Sequence, residues 1–436
     1  MNAVTKLKTE AERGLAAQFQ DVRAHLPGAA VERAAAFAAF EQAGLPHRRV
    51  EAWHYTDLRA LMHEALPLVD AGLSADAIAA AGETLARATR LGGPRFVFVD
   101  GMLAPGLSDM THGVEGLSLT PLGEAISRGD ALTPSLQGAD DDAVVALNAA
   151  FMQDGIVLTI APGVTIAAPI EIVSLSLSTG RASFARSALT LGAGACATLV
   201  ERAQGAAGQR NNAIVIALGD DAQLDHVAIV DERVAQTVHL DSALVTLGAR
   251  TKLSSIALVM GQGLIRRQMF LRFAGEHARA FIGGAALLRG REHADSTLVV
   301  EHVAPHCESR ELFKHILCDR ATGVFQGKII VAPGAQKTDG KMMSKAILLS
   351  DEAVMNNKPE LEIFADDVVC GHGATVGALD EDQLFYAQSR GIPLAEAESL
   401  LLDAFIGDLL DQVANEPLRD QMRASVADWL NTRGTA

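Results

Sequence analysis

Aromatic residues, cysteines and basic residues are all scarce in this chain of 436 residues. Phe, Trp and Tyr together make up 4% of the sequence, whereas apolar residues make up 49%. A chain of this length can bury a large core, and here that core must consist mainly of Ala, Val, Leu and Ile. Small aliphatic side chains suit thin, regular layers better than a bulky aromatic core.

The shortage of positive charge excludes several classes of partner. The formal net charge is −16, and phosphate backbones and anionic membranes both attract clustered Lys and Arg. No uninterrupted apolar run reaches transmembrane length, and Met1 to Glu10 lacks the apolar stretch of a secretory signal. The four cysteines, Cys196, Cys307, Cys318 and Cys370, form no paired framework. We therefore expect a cytoplasmic protein without a nucleic-acid or membrane partner.

The sequence divides into three regions. Residues 1–152 read as mainly helical, with Ala-rich periodic segments at 31–43, 71–89 and 122–150 and a strand at 95–99. Residues 153–380 form a region of short strands, and residues 381–436 are helical again.

Residues 153–380 contain a drifting repeat. Short apolar runs end in similar Gly-containing turns, and the run-ending residues Leu191, Leu218, Leu247 and Phe273 are 27, 29 and 26 residues apart. Such a spacing is typical of stacked supersecondary units. No helix-length segment separates the runs, so βαβ crossovers are not expected. The pattern predicts a mainly β fold with a parallel β-helix (β-solenoid) core between two helical regions, and an antiparallel sandwich is the alternative.

The C-terminal region contains a helix that is apolar on two sides. Its candidate partner-binding side chains are Leu394, Leu401, Phe405 and Leu409. One apolar side of such a helix packs on its own domain, and the other can contact a partner. Burial of both sides within one chain is an equally acceptable interpretation.

The segment Cys370-Gly371-His372-Gly373 is the strongest candidate for a chemical site. In a strand, residues i and i+2 point to the same face, so the thiol and the imidazole could address one metal ion or one sulfur species. The two glycines remove side chains that would block an approaching group. A closed metal site usually has four ligands, so other groups would have to complete this one. A structural role without chemistry is the alternative.

Two other motifs are better explained structurally. The segment Gly334 to Met342 resembles a phosphate-binding loop, but it has one residue too many between its glycines, and Met342 replaces the Ser or Thr that would hold Mg²⁺. We therefore expect no ATP hydrolysis by this chain. His302, His306 and Cys307 resemble a metal cluster, but Pro305 interrupts any helix that would align the two imidazoles.

Three segments resemble the SufD proteins of the SufB/SufD family, scaffold subunits of the SUF iron–sulfur cluster assembly system. Residues 51–58 (EAWHYTDL) resemble the family's E-A-W-[KR]-Y-T-D-L stretch, and 361–377 and 384–392 continue the similarity in the right order. The C-x-H-G-A-T-V-G string separates this chain from the sister scaffold SufB. His54, Gly371 and Ala387-Gln388 depart from the usual pattern, and none of these changes removes a proposed ligand.

The resemblance implies a non-catalytic scaffold subunit in a complex of SufB, SufD and two copies of the ATPase SufC, docked by the C-terminal helices. It implies that His372, with Cys370 as the weaker candidate, contributes to a transient iron–sulfur cluster at the SufB–SufD interface. Reduced flavin has been associated with such complexes, and the sequence leaves open whether it binds. A purely structural partner that supplies no ligand is the alternative. An open β-helix flank also makes self-pairing of the isolated chain plausible.

Overall fold

The computed structural model describes residues 8–70, 72–110, 113–129, 134–232 and 237–432. Nine α-helices are present in these residues: α1 Glu10–Val22, α2 Ala30–Ala43, α3 Leu58–Leu61, α4 Ala75–Ala86, α5 Leu122–Ser127, α6 Ala143–Phe151, α7 Glu381–Ser389, α8 Leu394–Leu410 and α9 Glu416–Thr432. The early strands are β1 Arg95–Val99, β2 Met102–Leu103, β3 Leu117–Pro121, β4 Ile156–Ile160, β5 Ile170–Ser176, β6 Arg181–Leu191, β7 Cys196–Gly205, β8 Gly208–Leu218 and β9 Gln223–Glu232. The later strands are β10 Val238–Leu247, β11 Lys252–Gly261, β12 Leu264–Phe273, β13 Arg279–Leu288, β14 His293–His302, β15 Glu308–Leu317, β16 Thr322–Val331, β17 Asp339–Leu348, β18 Val354–Ile363 and β19 Val369–Gly377.

The strands form a parallel β-helix, as the sequence predicts. From β4 onward, successive strands alternate between a nine-stranded sheet (sheet A, even-numbered strands and β3) and a ten-stranded sheet (sheet B, odd-numbered strands and β2). Each strand pairs in parallel with the strand two positions along the chain, as β10 does with β8 and β12. The pairs β1–β2 and β3–β4 are antiparallel and lie at the N-terminal end. This topology excludes the antiparallel sandwich.

The repeat in the sequence corresponds to one coil of the β-helix. Leu191 pairs with Leu218, Leu218 with Leu247, and Leu247 with Phe273, so the four run-ending residues stack directly above one another in sheet A. All four are buried between the two sheets in a core made mainly of Ala, Val, Leu and Ile. Small aliphatic side chains therefore fill the interior, as the composition predicts.

One corner of the β-helix is a column of left-handed turn residues. Asp221, Arg250, His277, His306 and Lys337 have φ between 56° and 63°. Asp and His are among the residues that tolerate this region best. The backbone N–H of each donates to a carbonyl of the next coil, for example Arg250 to Glu276 and Lys337 to Asp367. The turns thus continue the hydrogen-bonded ladder around the corner.

The segment 51–58 attaches the N-terminal region to the outer face of sheet A. The Arg266 guanidinium lies 3.7 Å from the centre of the Trp53 ring, and the Trp53 indole N–H donates to Asp142 at 3.0 Å. The Ala52 carbonyl accepts from Arg266 at 2.9 Å, and the Thr56 hydroxyl donates to Asp295. The motif therefore has a structural role as an attachment between the two regions.

Helices α8 and α9 cover the outer face of sheet B. Leu402, Ile406, Leu409 and Leu410 of α8 pack there in one apolar cluster with α9. A Cβ added to Gly283 on β13 would lie only 2.5 Å from Leu409 Cδ1, so this glycine allows the helix to approach the strand. The buried Lys314 ammonium donates to the Phe405 carbonyl at 2.5 Å and pairs with Asp408. The position of α8 on the sheet is thereby fixed.

The C-terminal end of the β-helix is open. Strands β18 and β19 are the last strands of sheets A and B, and each pairs on one side only within the described part of the chain. Large apolar side chains are exposed on or beside them: Val354, Ile363, Phe364, Val369 and Val376. Among the described helices, none is long and apolar enough to cross a membrane.

Candidate functional site

Cys370 and His372 lie on β19, at the open end of the β-helix. In the pairing with β17, Cys370 is opposite Gly340 and His372 is opposite Met342. Met342 is buried in the core between the sheets, so the two candidate side chains lie on the inward face of the last strand. Cys370 is half-buried against the core, whereas His372 is exposed because no coil follows it in the described residues.

The two glycines beside His372 have different roles. A Cβ on Gly371 would have no described atom within 4 Å, so the space beside this position is open. A Cβ on Gly373 would lie 2.7 Å from Met343 Cε. Gly373 therefore makes room for Met343.

The Cys370 thiol holds its proton at neutral pH. Burial is the largest cause that raises its pKa, and the nearby Asp339 and Glu311 carboxyl groups raise it further. A hydrogen bond from the Gly340 backbone acts in the opposite direction. A thiol of this kind is a weak nucleophile and becomes a metal ligand only when a cation displaces the proton.

Within the described residues, no group of three or more His, Cys, Asp or Glu side chains could hold a metal ion. Cys370 and His372 are too few for a closed site.

The structure separates His302, His306 and Cys307. The His302 ring is fully buried, stacks on Phe273 with centroids 4.2 Å apart and lies 3.1 Å from the Ser309 hydroxyl. His306 stacks on His277 at the outer corner, at 4.7 Å. The Cys307 thiol donates to the Gly275 carbonyl at 3.3 Å. This arrangement agrees with the structural interpretation of the three residues.

The segment that resembles a phosphate-binding loop leads from a turn into strand β17. A phosphate-binding loop precedes a helix whose N-terminal N–H groups contact the anion. The Lys337 ammonium pairs with Asp367, and that of Lys341 lies 3.6 Å from Asp339. The lysines are therefore engaged with neighbouring carboxylates. Residues 334–338 form the predicted polar loop, whereas residues 339–342 belong to strand β17 and not to a loop.

Glu311 is a candidate site residue that the sequence analysis missed. It lies on β15, in the same inward row as Met342 and His372, and it is 2% exposed. Burial raises the pKa of its carboxyl group to about 8. The available signal was the alternation of this strand. Glu311 lies two residues from both Ser309 and Phe313, so the alternation places its carboxyl group on the apolar face.

The four candidate partner-binding residues on α8 differ in exposure. Leu394 is 49% exposed, and Leu401 and Phe405 are half-buried. Leu409 is fully buried against sheet B, so its assignment to a partner contact is corrected: it belongs to the core of this chain. Helix α7 has no buried residue and exposes Phe385 and Tyr386, which adds two aromatic side chains to this surface.

Comparison with known proteins identifies the family. Residues 174–405, more than half of the chain, match the model of the SufBD core domain of the SUF system for iron–sulfur cluster assembly. The iron–sulfur cluster assembly protein SufD of Escherichia coli is 30% identical over 397 residues, covering 89% of this chain and 90% of that protein. An iron–sulfur cluster assembly SufBD family protein of Synechocystis is 31% identical, covering 88% and 87% of the two chains. SufD of Bacillus subtilis is 25% identical over 65% of this chain and 66% of its own. The chain therefore belongs to the SufBD family of iron–sulfur cluster assembly proteins.

Proposed function

We propose that this chain is a non-catalytic scaffold subunit on which nascent iron–sulfur clusters are assembled, at a site shared with a sister SufB subunit. His372 supplies a ligand or accepts a proton, and Cys370 is the second candidate. A neutral imidazole binds iron through a ring nitrogen, and a thiolate binds iron or bridges to sulfide. The cluster is cargo that leaves the site when complete.

The observation that carries this proposal is the exposed position of His372 on the last strand of the β-helix. Within the described part of the chain, the outer edges of β18 and β19 pair with no further strand, and they have exposed apolar side chains, which favour pairing with another chain. A partner that covers this end would bring its own donors next to His372. Such donors would complete a ligand set that the described residues of this chain do not provide.

The proposal includes a second contact, between the C-terminal helices and the ATPase SufC. The exposed side chains Phe385, Tyr386 and Leu394 on α7 and α8 support it. Because Lys314 and Leu409 fix α8 to sheet B, a movement of the docked ATPase would reach the strands of the site. We place this complex in the cytoplasm, where unpaired thiols such as Cys370 stay reduced, and leave reduced flavin as a cofactor of the complex rather than of this chain.

The test is His372→Ala in the co-expressed complex. We expect a severalfold or greater loss of cluster yield, measured by visible absorption and by iron and sulfide analysis, with the complex intact by size-exclusion chromatography. His306→Ala is the matched control, because His306 is an exposed histidine on the same β-helix but at the turn column. Wild-type yield from an intact His372→Ala complex would remove His372 from the mechanism.

The alternative proposal is a purely structural partner that stabilises SufB and recruits the ATPase. The exposed apolar side chains at both surfaces support it equally. It predicts that Leu394→Glu abolishes cluster formation by loss of the ATPase, whereas His372→Ala has no effect. The two variants measured together separate the proposals.

A further inference from the structure

A cleft lies between helix α1 and the N-terminal end of the β-helix. Its walls are the second half of α1 with residues 25–27, the segment 67–70, Met102 on β2 and residues 153–154 before β4. Its volume is about 680 Å³, and small-molecule sites typically have volumes of about 300–1,000 Å³. Sheet B begins here with β2 and β1 and ends with β19, so the cleft and His372 lie at opposite ends of the β-helix.

Hydrogen bonds hold the walls of the cleft in place. The Gln18 amide group donates to the carbonyls of Ala65 and Leu66, at 3.2 and 3.0 Å, and so joins α1 to the chain that leads into the segment 67–70. The Val69 N–H donates to the Ala182 carbonyl at 2.9 Å, which attaches that segment to β6. The cleft is therefore formed before any ligand binds, as is usual for small-molecule sites.

The larger part of the wall is apolar. Aliphatic, proline and methionine side chains from three of the wall segments contribute to it: Val22, Leu26, Pro27, Leu68, Val69 and Met102. Each of these residues is only partly buried. An apolar molecule in the cleft would remove their remaining surface from water, which is the main driving force for binding to such a wall.

The charged part of the wall is acidic. Asp21, Asp70 and Asp154 line the cleft, and in the described part of the chain no lysine or arginine lines it. His25 is a lining residue, and Arg181 lies 3.9 Å from Asp70 and offsets part of the negative charge. The cleft therefore attracts cations and repels anions, which disfavours a phosphate-bearing ligand such as a flavin nucleotide.

Asp154 is the most enclosed of the three carboxyl groups. Asp21 and Asp70 are exposed, whereas Asp154 is partly buried. Its two oxygens accept from the backbone N–H groups of Leu103 and Gly155, each at 2.8 Å. Burial raises the pKa of this carboxyl group, and the two N–H groups act in the opposite direction. A cation at this position gains more from a carboxylate than a cation at an exposed one, because water screens the pair less.

The amide groups in the wall add acceptors and no free donors. The amide nitrogen of Gln18 already donates to two carbonyls, and that of Gln153 donates to the Val69 carbonyl at 3.4 Å. The two amide oxygens are therefore left as acceptors, and neither has a donor among the described residues. Both glutamines line the cleft. A ligand that brings N–H groups matches this wall better than a ligand that brings acceptors.

We propose that this cleft binds a small organic cation, a primary amine on an apolar body, with the ammonium group beside Asp154 and the apolar body against Val22, Leu26 and Met102. The inference is independent of the proposed function, because the cleft shares no residue with the site around His372. A bound amine contacts both α1 and the N-terminal end of the β-helix, so it holds the two together.

The first test uses three probes of similar shape and different charge on the full-length protein: phenethylamine, phenethyl alcohol and phenylacetate. Isothermal titration calorimetry at neutral pH measures their affinities. We expect the amine to bind at least about fivefold more tightly than the alcohol, and the carboxylate to bind most weakly. Equal affinities for the amine and the alcohol, or no binding of the amine at its solubility limit, would overturn the inference.

The second test removes the charge from the cleft. We expect Asp154→Asn to lower the affinity for the amine to that for the alcohol and to leave the affinity for the alcohol unchanged. Asparagine can accept from only one of the two backbone N–H groups, so Asp21→Asn, at an exposed residue, is a second variant that does not disturb the fold. Glu396→Gln on α8 is the matched control for loss of one negative charge. Wild-type affinity for the amine in both cleft variants would contradict the proposed role of the carboxylates.

The position of the ligand is tested with crystals of the wild-type protein soaked in phenethylamine. We expect electron density for the ring against Leu26 and Met102, with the nitrogen within hydrogen-bond distance of the Asp154 carboxylate. Density only outside the cleft would refute the site. Cluster yield in the co-expressed complex separates this inference from the proposed function, because Asp154→Asn should leave the yield unchanged and His372→Ala should lower it.

Discussion

At the scale of single residues, Glu311 is a carboxylic acid enclosed by apolar side chains. It lies in the candidate site, and its protonation affects the free energy of unfolding. Its neighbours in the inward row of sheet B are Ile282 and Met342, both in the core between the sheets. Charging the carboxyl group there removes an ion from water without a partner, which is why its pKa lies well above that of an exposed glutamate. The native chain therefore binds this proton more tightly than the unfolded chain does.

We predict that Glu311→Gln becomes more stable relative to wild type as the pH rises. In the wild type, the protonated Glu311 carboxyl contributes stability that is complete below its pKa in the unfolded chain, about 4.5. That stability is lost as the pH rises through its pKa in the folded chain, about 8. The difference in unfolding free energy between variant and wild type should grow across that window by at most about 1.4 kcal/mol per pH unit. Urea titrations at pH 5, 6, 7 and 8 measure it, with Glu396→Gln on the surface of α8 as the control for loss of one negative charge. A constant difference across the four pH values would show that Glu311 is ionised in the folded chain.

At the scale of the element, α8 has one face in the core and one face on the surface. Leu409 is buried over Gly283, and Leu394, four turns earlier, is half exposed. The same residue type thus has two different roles on one helix. Sequence periodicity identified both faces but could not tell which of them meets the β-helix, because both are apolar.

We predict that Leu409→Ala lowers the free energy of unfolding by about 2–5 kcal/mol, whereas Leu394→Ala changes it by less than about 0.5 kcal/mol. The first substitution leaves a cavity between α8 and sheet B, and the second removes side-chain surface that already contacts water. Chemical denaturation followed by circular dichroism measures both. Equal effects of the two substitutions would mean that α8 does not pack on sheet B as described.

Besides the exposed face of α8, the outer edge of β19 is a second surface that contacts no other element in the described part of the chain. We predict that Val369→Lys, at a side chain that is 61% exposed, weakens self-association of the isolated chain and leaves its melting temperature unchanged. A lysine on an edge strand opposes pairing with another strand. Light scattering over a range of concentrations measures the change, and Val31→Lys on α2 is the control at a distant exposed valine. The edge is not the self-association surface if both variants associate like wild type.

At the scale of the whole molecule, the sequence predicted one sheet of the β-helix better than the other. The short apolar runs between residues 156 and 364 that indicated strands, such as 214–218 and 269–273, all fall on strands of sheet A. Strands of sheet B carry polar residues at buried positions, such as Glu171, His226 and Glu311, which break the apolar runs. The repeat of 26–29 residues therefore reports a complete coil of two strands.

The candidate site could be predicted in part, because one of its features depends on local spacing and the others depend on the stacking of the coils. The i, i+2 spacing of Cys370 and His372 placed both on one face of a strand. That His372 is exposed depends on β19 being the last strand of sheet B, and this is a property of the stacked coils as a whole. That Ser309, Gly340 and Cys370 are neighbours depends on strand pairing between residues about 30 positions apart in sequence. Such contacts follow from the register of the sheet and not from any local pattern.

The central claim is that the open end of the β-helix, with His372 on its last strand, meets a sister scaffold subunit. Site-specific photo-crosslinking tests it most directly, with a benzophenone side chain at the position of Ala374, which is exposed and follows His372 on the same face of β19. The account predicts a covalent adduct to the sister subunit when the complex is co-expressed and irradiated, and none from the same group placed at Val31. Adducts confined to this chain, in a complex that is otherwise intact, would contradict it.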